Sequence, residues 1–338
     1  MKSKILIIVG MIVLVLSYSC DRQKYAKGPL DVIYVLADDE SKKELKTVID
    51  TLGTYGIRTP KFQAFYDVKW FTFRDIPFVK EYHHVVIVAN LNNEVGEEIA
   101  RKLLNPKQFK DAERDSLNIF FIKDLWVKDQ AVIFIAGKDF QKLRRAISSN
   151  VGWIYRKIDE NFVNISNKYI FKYGEQRNLS RYLWGKYHWT MRIQHDYMIV
   201  HEYEDKNFVW LGRGFPYRWI SVSWANGFEP KWLTEPGLFE RRNKIGEIYG
   251  GIGTDKRFLG FYWTEFAGYN ALKMYGLWYH KKEAKGGPFV TYSFYDEETD
   301  RTFIIDLLVF APGEKVTLIL RQADLMIRTF TTKPDFKL

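Results

Sequence analysis

One cysteine in 338 residues, and that one at position 20, constrains this chain more than any other feature. Without a second thiol there is no intrachain disulfide, and a structural zinc site built on several thiolates is excluded. Whatever folds after residue 20 must hold itself by core packing. Lys2 and Lys4 precede Ile5 to Leu16, an unbroken apolar run of 12 residues, and Ser17, Tyr18 and Ser19 lead into the cysteine. A membrane-crossing helix needs about 20 apolar residues to span about 30 Å of hydrocarbon. Twelve suit the apolar region of an export signal. Cys20 stands where a bacterial lipoprotein carries its lipidated cysteine. The expectation is a signal peptide over residues 1–19, an acylated Cys20, and a membrane partner reached through several acyl chains. Two other readings are an ordinary secretory signal cut near Ser19 and retention of the run as a short anchor.

With 46% hydrophobic residues and a mean hydropathy of -0.29, the chain is neither disordered nor polytopic in composition. Its formal charge of +10 falls to +8 once Lys2 and Lys4 leave with the signal. Such a surface is either plainly solvated or rests against anionic lipid or glycan. Nucleic acid is not an expected partner, because export separates the protein from it.

After a tether over 20–30, the pattern predicts an N-terminal domain over 31–180 and a C-terminal domain over 181–338. Asp31 to Ala37 reads as a strand, and Ser41 with Glu44 as a capping box for the helix that follows. Lys61 to Phe73 and His84 to Ala89 read as strands. Asn93 caps a helix stopped at Asn105 and Pro106, then come strands over Asn118 to Ile122 and Gln130 to Ala136 and a helix from Phe140. This order predicts an α+β fold with a split β-α-β-like antiparallel or mixed sheet carrying helices on one face. A nucleotide fold is disfavoured, since Ala37-Asp38-Asp39-Glu40 puts acid where a phosphate needs bare backbone amides.

In the second half, alternation over His188 to Gln194 predicts a half-buried strand. Further strands follow at Met198 to Tyr203, Phe208 to Leu211, Trp219 to Trp224, Phe261 to Tyr269 and Ala271 to Tyr279. Asp296 to Arg301 closes a hairpin between Phe289 to Tyr295 and Thr302 to Phe310. Helices fit Pro236 to Ile248 and the stretch after Pro312 and Gly313. The expectation is an antiparallel, aromatic-rich sheet backed by helices, similar in topology to a PsbP-type sandwich.

Reactive constellations are scarce. His83 and His84 diverge on a strand, and His195, His201 and Glu202 lack an H-E-x-x-H spacing, so no metal is expected. No Gly-x-Ser-x-Gly elbow occurs, the full phosphate-loop spacing is missing around Gly250, Gly251 and Gly253, and Glu235 with Glu240 and Asp296 with Glu297 and Glu298 read as solvated acids. No catalytic residue and no cofactor are assigned. Nine of the 11 tryptophans lie between Trp153 and Trp278, which puts the aromatic excess in the second half. Alternation sends Trp219 and Ser221 to one face of their strand and Ile220, Val222 and Trp224 to the other. Trp219, with Arg213, Tyr217 and Arg218, is therefore a candidate ligand platform, against the alternative that these rings fill the core.

The segments Asp124-Leu-Trp-Val-Lys-Asp-Gln130, Asn207-Phe-Val-Trp-Leu211, Arg218-Trp-Ile-Ser-Val-Ser-Trp224, Arg241-Arg-Asn243, Gly276-Leu-Trp278, Gly286-Gly-Pro-Phe289 and Phe310-Ala-Pro312 occur in this order. The chain thereby resembles the domain of unknown function 4837 family, lipoproteins of Bacteroidota. The resemblance implies a lipoprotein signal and an envelope location, with the outer membrane ahead of the inner one, and no activity. Together these readings predict a non-enzymatic, lipid-anchored envelope protein whose two α+β domains bind another envelope component, an envelope protein or a glycan. The alternative is a glycan or peptidoglycan binder, or a hydrolase with an unrecognised site.

Overall fold

The computed structural model describes residues 23–59 and 61–333. The expected signal peptide, Cys20 and the start of the expected tether lie outside the described residues. The chain divides into two compact units, one of residues up to 49 with 68–161, the other of 50–67 with residues from 162 onward. The division thus falls earlier than residue 180, and a short early segment groups with the second unit.

The first unit runs from β1 (Val32–Leu36) into α1 (Asp39–Ile49). Asp38, not Ser41, caps α1: its Oδ1 accepts from the Ser41 amide at 2.8 Å and its Oδ2 from the Ser41 hydroxyl at 2.9 Å. The acids after β1 therefore serve the helix end. Two-residue strands β2 (Gly56–Ile57) and β3 (Gln63–Ala64) pair with each other in the second unit, and β4 (Asp67–Phe71) joins the sheet of the first. The single strand expected over 61–73 is thus two pieces in different sheets. Next come β5 (His84–Asn90), α2 (Glu94–Leu103), α3 (Pro106–Glu113), β6 (Ile119–Lys123), β7 (Ala131–Gly137) and α4 (Phe140–Tyr169). Asn93 caps α2 as expected, accepting from Val95 N at 2.9 Å. Asn105 and Pro106, expected only to stop α2, also start α3 through a reciprocal Asn105–Gln108 box.

The sheet order is β4-β1-β5-β7-β6, with β1, β5 and β7 parallel and β6 antiparallel to β7. Of the two expected arrangements, antiparallel or mixed, the sheet is the mixed one. Val85, Ile87, Val132 and Phe134 pack with Ala100, Phe109 and Ala112 of α2 and α3. Val86, Val88, Ile133 and Ile135 on the opposite face are equally buried, as are Leu45 and Ile49 of α1 and Leu143 and Ile147 of α4. Helices consequently cover both faces rather than one, the usual consequence of parallel crossovers.

The second unit continues with α5 (Arg177–Tyr187), β8 (Met198–Tyr203), β9 (Phe208–Arg213), β10 (Tyr217–Asn226), α6 (Glu235–Ile248), β11 (Ile252–Phe266), β12 (Tyr269–His280), β13 (Gly286–Asp296), β14 (Arg301–Phe310) and α7 (Val316–Ile327). Seven strands form one antiparallel sheet in the order β11-β12-β13-β14-β10-β9-β8. The β13–β14 hairpin pairs from Phe289↔Leu308 to Asp296↔Arg301, as the sequence predicts. His188 to Gln194 forms no ladder strand; it is held by bridges from Thr190 to Thr331 and from Gln194 to Glu175. Its alternation reflects burial of Trp189, Met191 and Ile193 in the core without strand neighbours on either side.

Each face of this sheet has its own core. Ile220, Val222, Phe294, Phe303, Ile305 and Leu307 face Leu320, Ala323, Met326 and Ile327 of α7 and Leu183 of α5. Residues one step along the strands, among them Trp210, Phe289, Ile304 and Leu308, pack with Leu238 and Ile245 of α6. The period-two alternation of strand side chains makes neighbours such as Phe303 and Ile304 enter different cores.

Candidate functional site

The predicted platform does not assemble. Arg218 and Arg213 are register partners and share one face of the sheet, whereas Tyr217 and Trp219 point to the other. Arg213 Nη1 pairs with Asp196 Oδ2 at 2.8 Å, and Arg218 Nη1 donates to Gln194 Oε1 at 3.5 Å. Burial lowers the Arg218 pKa and pushes the neighbouring Tyr197 hydroxyl up to about 12. Trp219 is half-buried among Trp210, Trp278 and Tyr249, with ring centroids 5.6, 6.0 and 6.4 Å away. Tyr217 is 40% exposed and stacks on Phe310. The tryptophan lies off one core only to enter a second, because α6 covers the face that the strand pattern leaves open.

The histidines are equally dispersed. His201 stacks on Tyr203 and lies tilted against Trp210, while Glu202 accepts hydrogen bonds from Tyr182 and Tyr187. Among the described residues no group of three or more His, Cys, Asp or Glu is placed to hold a metal ion.

What the α6 side assembles is a buried polar network under a cationic cleft. Arg242 is 1% exposed and donates from Nε to Asp306 Oδ1 at 3.1 Å and from Nη1 to Thr254 Oγ1 at 2.7 Å. Thr291 donates to the same carboxylate oxygen at 2.6 Å, and the guanidinium lies 3.6 Å from the centre of the Phe289 ring. Thr254 in turn donates to Asn243 Oδ1 at 3.1 Å. Tyr249 donates to Ser221 Oγ at 2.5 Å, and burial with the nearby Asp306 charge raises its pKa well above the usual phenol value. Arg242 Nη2 and Asp306 Oδ2 stay buried without hydrogen-bond partners. This layer is therefore bound by charge and aromatic packing together.

Two cavities open beside it and share Phe239 as a wall. The larger, about 720 Å³, is lined by Lys231, Trp232, Thr234, Glu240, Arg241 and Lys244 among others. The smaller, about 400 Å³, is lined by Asn243, Thr254, Asp255, Lys256, Tyr279 and Lys281 among others. The turn before α6 closes tightly at Gly237, where a Cβ would stand 1.9 Å from the Lys231 carbonyl, so only glycine lets Lys231 and Trp232 sit against the helix start. Thr234 caps that start by accepting from Gly237 N at 3.3 Å. Arg241 stacks on Trp232, 4.7 Å from the ring centroid; its Nε is buried without a hydrogen-bond partner and burial lowers its pKa. Lys256 lies 5.1 Å over Phe239. Adjacent arginines thus divide the labour: about 100° of helical rotation per residue turns Arg242 into the core and Arg241 into the cleft.

Three of the segments that carry the family resemblance meet here, whereas Asp124 to Gln130 lies in the first unit. Trp278 donates to Val309 O at 3.1 Å, Phe289 lies under Arg242, and Arg241, Arg242 and Asn243 supply cleft, core pair and network. Sequence reasoning missed Trp232 and Arg241; the available signal was a tryptophan shortly before a helix bearing two successive arginines.

No curated protein matches this chain. Solved structures similar to it include the Ran-binding protein Mog1p of Saccharomyces cerevisiae, 12% identical, with 43% of this chain and 89% of that chain covered and a TM-score of 0.29. LpqN of Mycobacterium tuberculosis, described as involved in cell envelope biogenesis, is 13% identical, with 42% and 82% covered and a TM-score of 0.27. A protein of Bacteroides thetaiotaomicron VPI-5482 is 9% identical, with 44% and 46% covered and a TM-score of 0.28, so this chain spans under half of that protein's length. The model of the Domain of unknown function (DUF4837) family matches residues 176–329, a span that takes in the whole seven-stranded sheet and both cavities. Those residues are what this chain shares with the DUF4837 family, whose description assigns no function.

Proposed function

We propose that this protein is a lipid-anchored component of a bacterial cell envelope whose second unit binds another envelope component through the cleft along α6, without catalysing a reaction. The observation that carries the anchor is the sole cysteine directly behind a 12-residue apolar run. Among the described residues no helix is long and apolar enough to cross a membrane, so attachment falls to the N-terminus in this reading. The outer membrane is preferred to the inner, following the family resemblance. The binding role is supported by cavities of small-molecule size where cations without ion pairs and aromatic rings converge.

Glycan binding is the second reading, favoured by Trp232 and Phe239 in the cleft wall. A hydrolase would need a pair of working carboxyls. Here Asp255 is bound by Arg257 at 2.7 Å, which holds its pKa below the usual carboxylate range, and Glu240 lines only the larger cavity.

The test is fractionation of cells carrying the tagged full-length protein or Cys20→Ala, followed by crosslinking in the intact envelope and mass spectrometry. The expected result is wild-type protein in the membrane fraction with a reproducible crosslinked partner, both lost in Cys20→Ala. Membrane attachment that survives the substitution overturns the lipid anchor. An anchored protein that captures no protein but is retained on glycan overturns the protein-partner reading.

A further inference from the structure

We propose that the α6 cleft is an anion site whose ligand carries a phosphate group, with Arg241 as its principal donor and Lys231, Lys244 and Lys256 around it. The inference rests on reading this cleft as the binding site.

Charge is the first argument. Lys231, Arg241, Lys244 and Lys256 line the two cavities, and none of them has an ion pair among the described residues. The lining carboxylates are fewer: Asp255 is neutralised by Arg257, which leaves Glu240 to oppose the four cations. Lys281, on the smaller cavity, is already held by Glu247. Uncompensated positive charge in concave, partly desolvated walls favours a bound anion more than the same charge spread over a flat surface does.

Geometry is the second. A guanidinium stacked face-on over an indole keeps its N–H donors in its own plane, where a tetrahedral or planar anion can meet two of them at once. Arg241 packs over Trp232 with its guanidinium carbon 4.7 Å from the ring centroid, and its Nε is buried and unpartnered. Lys244 lies three residues further along α6, on the same side of the helix as Arg241. Its neighbour Arg242 cannot compete for the ligand, being bound to Asp306 and Thr254 in the core.

The number of cations separates phosphate from carboxylate. One fork satisfies a carboxylate, whereas a phosphate monoester carries a charge of about -1.5 to -2 and offers three acceptor oxygens to donors arriving from different sides. The cavity volumes admit a phosphorylated sugar or a single phospholipid headgroup, and these two sources share the chemistry that the cleft would recognise.

The experiment is calorimetric titration of the full-length protein in neutral detergent with inorganic phosphate, glucose 6-phosphate, glucose, dihexanoyl phosphatidylglycerol and dihexanoyl phosphatidylcholine. The phosphate-bearing sugar should bind about tenfold or more tightly than glucose, and Arg241→Gln should weaken it about fivefold or more, as loss of a charge-assisted fork does. Lys231→Gln and Lys244→Gln should weaken it less, and Lys43→Gln, an equal charge change on α1, should leave it unchanged. Tighter binding of glucose 6-phosphate than of phosphatidylglycerol makes the source a phosphorylated sugar, and the reverse order makes it a lipid headgroup. Failure of every phosphate probe, or binding indifferent to Arg241→Gln in a variant with wild-type melting, overturns the proposal. Should glucose then bind in a manner abolished by Trp232→Ala, the cleft stands as the binding site and only the anion assignment falls. If no probe responds to either substitution, the reading of the cleft falls with it.

Discussion

The two faces of the seven-stranded sheet are built on different principles. Toward α7 the strands present Phe294, Phe303, Ile305 and Leu307 to an aliphatic helix face, and the ion pairs on that side, Arg328 with Asp324 and Arg213 with Asp196, are part-exposed. Toward α6 a fully buried arginine and aspartate lie in the middle of the aromatic layer, and two cavities open beside them. Burying a charge pair costs desolvation that good geometry only partly offsets, and here each partner keeps one unsatisfied atom. One face therefore carries stability cheaply, while the other holds a polar framework that positions surface cations at some cost.

Substitutions can break this contrast. The largest expected effect is Arg242→Met, which strands the Asp306 charge in the core and should cost about 3–5 kcal/mol in urea unfolding. Adding Asp306→Leu should recover most of that loss; a single variant close to wild type would mean that the pair does not organise the α6 face. On the other face, Ile305→Val removes one methylene from a dry, closely packed layer and should cost about 1 kcal/mol. A much larger value would place hidden strain there.

Acid should sharpen the comparison at the rim of the α7 face. Burial alone would raise the pKa of Asp324, but Lys273 and Arg328, with hydrogen bonds from Tyr292 and Arg328, outweigh it and hold the group below its usual value. A depressed folded-state pKa contributes stability above the unfolded value, near 3.9, and that contribution is lost as pH falls through the folded value. Unfolding followed between about pH 5 and pH 2 should therefore show a shallower acid loss in Asp324→Asn than in wild type. Parallel profiles would remove Asp324 as a contributor. The smallest effect belongs to Arg241→Gln, which gives up packing over Trp232 but no ion pair and should cost about 0.5 kcal/mol. Equal destabilisation by Arg241→Gln and Arg242→Met would erase the distinction between cleft and core.

Much of the fold was legible locally. The β13–β14 hairpin follows from two apolar runs around a polar turn, and Asn93 announces α2, because a cap or a tight turn is decided by residues a few positions apart. Where partners lie far away in the chain, the pattern misled. His188 to Gln194 has strand alternation but finds only isolated bridges, one of them to Thr331. Residues 61–73 have strand composition, yet Gln63–Ala64 and Asp67–Phe71 pair in separate sheets. The site suffered most: Arg213, Tyr217, Arg218 and Trp219 are close in sequence, but register and alternation put the arginines and the rings on opposite faces.

By itself the sequence determined what depends on composition and short spacing: a chain without disulfides, the expectation of an anchor at Cys20, an antiparallel aromatic sheet, and the faces to which successive side chains of β10 point. Only the tertiary structure decided which of those faces are covered. A strand reports its two sides through alternation but carries no record of the helix that will pack on them. α6 begins 16 positions after Trp219, covers that ring's face, and thereby turns an apparent ligand platform into core. The same packing sends Arg241 outward over Trp232 and Arg242 inward to Asp306, a difference that one helical step and a long-range contact create and that two identical letters do not show.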